Sequence, residues 1–314
     1  MAATVAAPDT RTRAAPWYIW CSVLAVTSAM VGAHWDISWH RSIGRDTFWT
    51  PAHIAIYLCG VLAGAWTAYL ILRTTFGRLD VPAVRLWGFR GPLGAFLAAW
   101  GGIAMLTSAP FDDWWHSAYG LDVKIVSPPH IVLILGVAVV QAGTLVLIRS
   151  QVRGRASWLF EYVGAMILVL AMVLILEYTG RSQMHQGWFY RIVATFVPGI
   201  LAAVAAGSER RWAATVVAGV YSLFLMGAIW MLPLFPAEPK LGPVYQQVTH
   251  FIPPDFPLLL IAPALALDLL RARTRAWSAW RRAAVSGALF VGVFAAVQWP
   301  FAEFLMSPET GREN

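Results

Sequence analysis

Asp36 and His40 stand four residues apart, and His53 follows at the beginning of the next apolar run. On a helix, residues four apart share a face, with Cβ atoms about 5–6 Å from one another, so a carboxylate and an imidazole so placed can reach one ion. An imidazole at the start of an antiparallel neighbour then supplies a third donor. Two neutral imidazoles and one carboxylate leave coordination positions open. Such a set suits copper, iron, zinc or manganese, and ligand type alone does not choose among them. Open positions favour chemistry or transfer over a closed structural site.

The pattern occurs twice. WDISWHRSIGRDTFWTPAHI begins at Trp35, and FDDWWHSAYGLDVKIVSPPHI begins at Phe111. A shift of 76 residues aligns Asp36 with Asp112, Trp39 with Trp115, His40 with His116, Gly44 with Gly120 and Asp46 with Asp122. After one inserted residue, Pro51 and His53 align with Pro128 and His130. The two stretches read as copies of one helix pair in parallel orientation, a known way to build membrane folds. Pro51 and Pro128 suit the first position of a helix, where no N–H is needed. Asp112, His116 and His130 therefore form a second candidate triad. Asp46 and Asp122, each two residues past a glycine, suit a supporting role, accepting a ring N–H from a bound histidine. Pairing with Arg45 or Lys124, or a local turn contact, is the alternative. His34 and Asp113 are further candidate donors.

These residues need helices to hold them, and the composition says which kind. The chain of 314 residues is 59% hydrophobic and 12% charged, with a mean hydropathy of +0.62. A soluble domain carries about twice that charge. Blocks of spanning length, ~20 residues, fall at about 17–35, 52–72, 91–109, 129–148, 157–178, 189–207, 212–235, 255–270 and 283–302. The expected fold is an all-α polytopic bundle of about nine transmembrane helices, the first four being the repeat. It divides into a tail at 1–16, a metal-binding unit at 17–150 and further helices at 151–314. The first apolar run leads into His34, Trp35 and Asp36 instead of a small-residue cleavage site, and so reads as a retained helix.

With the N-terminus inside, sixteen of the 23 Lys and Arg residues fall on the inner side. Cytoplasmic loops carry such an excess, so a bacterial inner membrane with the triads facing outward is expected. All seven histidines fall on that outer side. The net charge of +7 follows from these loop clusters, and no nucleic-acid partner is implied. Cys21 and Cys59 lie in apolar runs and read as buried side chains. In the second half, Glu177, His185, His250 and Asp255 lie on the outer side, and the run from Gly242 to Pro257 reads as an outer loop folding over the site. Arg271–Arg282, interleaved with Trp277 and Trp280, reads as a basic stretch on anionic lipid. There is no P-loop, dinucleotide fingerprint, serine triad or HExxH motif.

The string Asp36-Ile37-Ser38-Trp39-His40, followed by Arg45-Asp46-Thr47 and Thr50-Pro51-Ala52-His53, resembles the signature of the copper-holding membrane subunit of the particulate methane and ammonia monooxygenases. In that family an Asp-x3-His-x12-His motif holds copper in the membrane, and Asp36, His40 and His53 match it. The family's second copper site has Asn-x3-His-x13-His; Asp112, His116 and His130 reproduce the spacing with Asp in place of Asn. The likeness covers about residues 30–150 and does not extend to the later helices. It implies copper at the first triad, and copper, zinc or iron at the second. The implied activity is oxidation of a small substrate, an alkane or ammonia, with O₂. It further implies a quinol reductant, two partner subunits and trimeric assembly. The competing expectation is a non-catalytic membrane protein for copper or zinc binding, storage or delivery.

Overall fold

The structure, a computed structural model, describes residues 14–44, 46–77, 79–120, 126–176, 186–239, 248–257 and 259–306. Nine α-helices are present among them: α1 (Trp17–Ser42), α2 (Pro51–Thr75), α3 (Leu93–Tyr119), α4 (Pro128–Gln151), α5 (Trp158–Leu176), α6 (Gly187–Gly207), α7 (Ala213–Met231), α8 (Ile261–Arg273) and α9 (Ala279–Met306). All but α8 are long and apolar enough to cross a membrane. The expected all-α polytopic bundle is the fold. Large apolar side chains such as Leu24, Ile103, Leu135 and Leu223 remain exposed on it, as lipid-facing positions do. The two cysteines are free, Cys59 being buried and Cys21 partly so.

Helices α1 to α4 pack in chain order, and α1 also touches α4 and α5. Small residues set these approaches, as in membrane bundles generally. At Gly32 an added Cβ would lie 2.7 Å from the Ile56 side chain and 2.8 Å from the Ala52 carbonyl oxygen. That close approach sits one turn before Asp36 and beside His53. Between α3 and α4 a Cβ on Gly101 would meet the Gly136 carbonyl oxygen at 2.5 Å. At the opposite end of the bundle, β1 (Val84–Leu86) and β2 (Phe89–Gly91) form an antiparallel hairpin. Its turn residues Trp87 and Gly88 both have positive φ, the geometry of a tight two-residue hairpin.

The eighth apolar block is not a spanning helix. α8 has 13 residues, about 20 Å at 1.5 Å per residue, against a hydrocarbon core of ≈ 30 Å. The chain reaches it as an extended strap. Ile252 accepts from Ser38 Oγ at 2.7 Å and donates to Ser42 Oγ at 2.7 Å, while Arg41 donates to the Pro253 carbonyl at 2.8 Å. Phe256 packs on His34, deeper along α1. Further on, Asp268 accepts from the backbone N–H groups of Ala214 and Thr215 at the start of α7. Strap and helix thus run from one end of the bundle to the other. Proline cuts the helix short, since Pro253, Pro254 and Pro257 lack N–H groups and disfavour helical neighbours. Irregular backbone at membrane depth is tolerated only when protein covers it, and here side chains of α1 take up its hydrogen bonds.

Candidate metal centre

The first candidate triad is assembled at one end of the bundle. α1 runs on past the predicted block end to Ser42, so Asp36 and His40 occupy its last two turns. Gly44, with φ of 97°, ends the turn by donating to the Trp39 carbonyl at 3.1 Å. Nothing crowds its missing Cβ, so the demand there is conformational. Thr50 precedes α2 and accepts from the Thr47 N–H at 2.8 Å, and Pro51 opens α2. His53 thereby enters in the first turn, facing α1. Its Nε2 lies 3.2 Å from Asp36 Oδ1, and His40 Nε2 lies 3.8 Å from Asp36 Oδ2.

Asp46 completes the group. Its Oδ2 is 2.8 Å from His53 Nε2 and 3.3 Å from His40 Nε2. Donor atoms of Asp36, Asp46 and His53 all lie within 4.8 Å of one another, and His40 borders them through the two carboxylates. Asp46 thus faces the same Nε2 atoms that face Asp36. Burial alone would raise the Asp46 carboxyl, but hydrogen bonds from His40 and His53, and their charges, hold it well below the usual carboxylate range.

The second triad has the same plan. Asp112 and His116 lie near the end of α3, and His130 lies in the first turn of α4. Asp112 offers Oδ2 to His116 Nε2 at 3.5 Å and Oδ1 to His130 Nε2 at 3.4 Å. These three donors also lie within 4.8 Å of one another. Gly120, with φ of 87°, ends α3 four residues past His116, as Gly44 stands four residues past His40. Ser127 Oγ accepts from the His130 N–H at 3.4 Å. Asp122, the counterpart of Asp46, lies outside the described residues, as do Arg45, Lys124, Glu177 and His185.

Other predicted positions are not gathered in. His34 is buried on the opposite face of α1, its Nδ1 3.0 Å from the Met30 carbonyl and its ring against Phe224 and Phe256. Asp113 is exposed beside the second group. His250 is exposed, with Nδ1 2.9 Å from Thr249 Oγ1, and Asp255 pairs with Arg41 at 2.9 Å. The described part of the expected covering loop, 248–257, docks on the face of α1 turned away from Asp36 and His40. At 100° per residue, Ser38, Arg41 and Ser42 lie roughly opposite the donor pair.

The donor chemistry fits a metal. Each of the four imidazoles in the two groups presents Nε2 to a carboxylate, and these nitrogens and oxygens are what a divalent ion takes when protons leave. The first group offers two imidazoles and two carboxylates, and the second offers two imidazoles and one. Neither contains a described thiolate. Compared with family profiles, curated proteins and solved structures, the chain shows no match.

Proposed function

We propose that this membrane protein binds copper at both Asp/His groups and serves as the metal-bearing part of a membrane monooxygenase acting on a small substrate of the alkane or ammonia type. The observation that carries the reading is the repeated convergence of an Asp-x3-His pair with a histidine from the next helix, joined in the first group by Asp46. The likeness of residues 36–53 to the copper-holding membrane subunit of the particulate monooxygenases points to copper and O₂. Bound copper would supply O₂ activation. The protein's own part is to hold donors in place. α1 and α2, locked at Gly32, fix the distance between Asp36 and His53, and the Gly44 turn brings Asp46 back to both rings. On this reading the chain sits in a bacterial inner membrane, N-terminus inside and both groups outward, as the excess of Lys and Arg on the inner loops suggests. Lipid brings apolar substrate, a quinol supplies electrons, and two further subunits in a trimeric assembly complete the enzyme.

A second reading is favoured by Asp46. Two carboxylates with two imidazoles neutralise a divalent ion and suit zinc or iron as well as copper, which fits a non-catalytic binding, storage or delivery protein. Elemental analysis and EPR of protein purified in lipid separate the two. Copper in both groups and O₂-dependent substrate oxidation with partner subunits support the oxygenase. A protein that fills with zinc and stays empty with copper defeats it. His40→Ala lowers metal content under either reading, and an unchanged content overturns both.

A further inference from the structure

The hairpin between α2 and α3, at the end away from the donor groups, is firmly docked. Thr75 Oγ1, in the last turn of α2, accepts from the Arg90 N–H at 2.8 Å and stands 2.9 Å from the Arg90 carbonyl oxygen. Phe89 packs on Phe76 with ring centroids 6.3 Å apart. Gly91 lies so near α2 that an added Cβ would meet the Ile71 side chain at 3.0 Å. Trp87, at the tip, meets Trp100 edge to face at 5.3 Å. Trp100 stands in the second turn of α3 and is itself exposed on the outside of the bundle. The tip therefore lies against the outer flank of a spanning helix near its end, the level at which headgroups surround a membrane protein.

Two features of this hairpin work against its own stability. Trp87 has φ of 50° and Gly88 φ of 85°, as the central pair of a type I′ turn requires. Glycine adopts that geometry freely, but a bulky side chain there is strained. The register then sets Arg85 directly opposite Arg90. With Leu86 and Phe89 closing the turn, these arginines form the next, non-hydrogen-bonded pair, in which side chains come closest. Like charges so placed destabilise a sheet. Alternation sends Phe89 and Gly91 to the face that bears on α2, and both arginines to the other. Arg85 and Arg90 are exposed. Among the described residues no carboxylate pairs with either, and this includes Asp80, the nearest in sequence. Strain of this kind persists only where the surroundings impose it, and it gathers at binding sites.

We propose that the hairpin binds an anionic phospholipid of the leaflet at this end, Arg85 and Arg90 clamping its phosphate while Trp87 seats the tip in the interface. Neither donor group takes part. A guanidinium fork takes two phosphate oxygens at once, and a phosphate between the two arginines turns their mutual repulsion into attraction to a common charge. Indole rings favour the interface, so the strained turn presents the ring best suited to that depth. Exposed apolar side chains, Phe76 and Val84, border the clamp, which suits a ligand whose charged head is joined to acyl chains. Two competing explanations differ in their consequences. A general aromatic anchor is indifferent to headgroup charge, and a clamp for the carboxylates of another protein is indifferent to lipid.

The test uses the full chain in nanodiscs of phosphatidylcholine alone or mixed with phosphatidylglycerol, read by melting temperature and by the lipid retained in native mass spectrometry. Wild type should melt higher in the mixed membrane and retain phosphatidylglycerol in preference. Arg85→Gln with Arg90→Gln should weaken that retention about thirtyfold, the loss of two cations beside an anionic surface. Its melting temperature should also cross that of the wild type, lying above it in phosphatidylcholine alone, where repulsion is relieved, and below it in the mixture. A misfolded variant would melt lower in both, so the crossing separates lost binding from lost structure. Trp87→Asn relaxes the turn and removes the ring. It should shrink the rise that phosphatidylglycerol gives, and an unchanged rise overturns the part assigned to Trp87. A wild type indifferent to phosphatidylglycerol overturns the proposal, as does a double variant that retains this lipid like the wild type. Equal stabilisation by inorganic phosphate in phosphatidylcholine alone would assign the clamp to a free anion and overturn the lipid.

Discussion

Asp46 carries the largest difference between what a residue pattern reveals and what a folded loop does. Asp36, His40 and His53 are legible because helical periodicity places the first two together and Pro51 marks where the third begins. Asp46 sits in a turn with no period, and its return to His40 and His53 depends on the backbone at Gly44, which spacing does not encode. His34 shows the reverse error: two residues from Asp36, it points to the other face and packs between two phenylalanines. Asp46→Asn should weaken divalent-ion binding at the first group by about 10–100-fold, as loss of a carboxylate that orients metal-ligating histidines does, measured by competition with a chelating dye. The metal-free protein should show a pH signature too. A carboxyl held low when folded adds stability above its unfolded value of about 4, and that stability is lost as pH falls below it. Wild type should therefore melt above Asp46→Asn at neutral pH, with the gap closing in acid; a gap independent of pH would contradict this.

At the scale of elements, the apolar blocks predicted the long helices well, because an uninterrupted run of spanning length has few alternatives in a bilayer. Their ends were less visible. α1 continues through Trp35–Ser42, where polar residues interrupt the run but not the helix. The eighth block fails for a different reason: its prolines leave a strap that bonds in part to Ser38, Arg41 and Ser42, partners more than two hundred residues distant in sequence. Glycine at the helix crossings is the other hidden determinant. Gly32→Val would force α2 off α1 beside His53, and overpacking of this kind costs about 1–3 kcal/mol. It should lower the melting temperature and empty the first group while sparing the second, as read by metal content in an Asp112→Ala background and in its absence. Gly64→Ala, where nothing lies within 4 Å of the added carbon, should leave both unchanged.

Across the whole molecule, the donor groups collect at one end and most of the described arginines at the other, Arg41 being an exception. Arg149 pairs there with Glu209 at 3.1 Å, and Arg210 reaches the buried Glu161 at 3.3 Å. Loop charge anticipated that polarity, since the same topology that sends the arginines one way sends the histidines the other. Which end faces the cytoplasm is open to a labelling test in a variant lacking Cys21 and Cys59. Trp49 and Trp87, at opposite ends, are 71% and 75% exposed. A cysteine at position 49 should react with an impermeant maleimide in intact cells, and one at position 87 only after permeabilisation; the opposite pattern would reverse the orientation.

The strap along α1 has a mechanical consequence. A helix held on one flank can slide or rotate by small amounts about its axis, but the outer turns of α1 are gripped on two. α2 bears on the flank that carries Asp36 and His40, and the strap is pinned to the opposite flank through Ser38, Arg41 and Ser42. Any screw motion that would part Asp36 from His53 must also tear those hydrogen bonds. Stiffness at the donor end is therefore borne partly by a stretch of chain that contributes no donor to either group, so Ser38→Ala with Ser42→Ala should broaden the spread of Cu(II) environments in frozen-solution EPR without changing how much copper is bound.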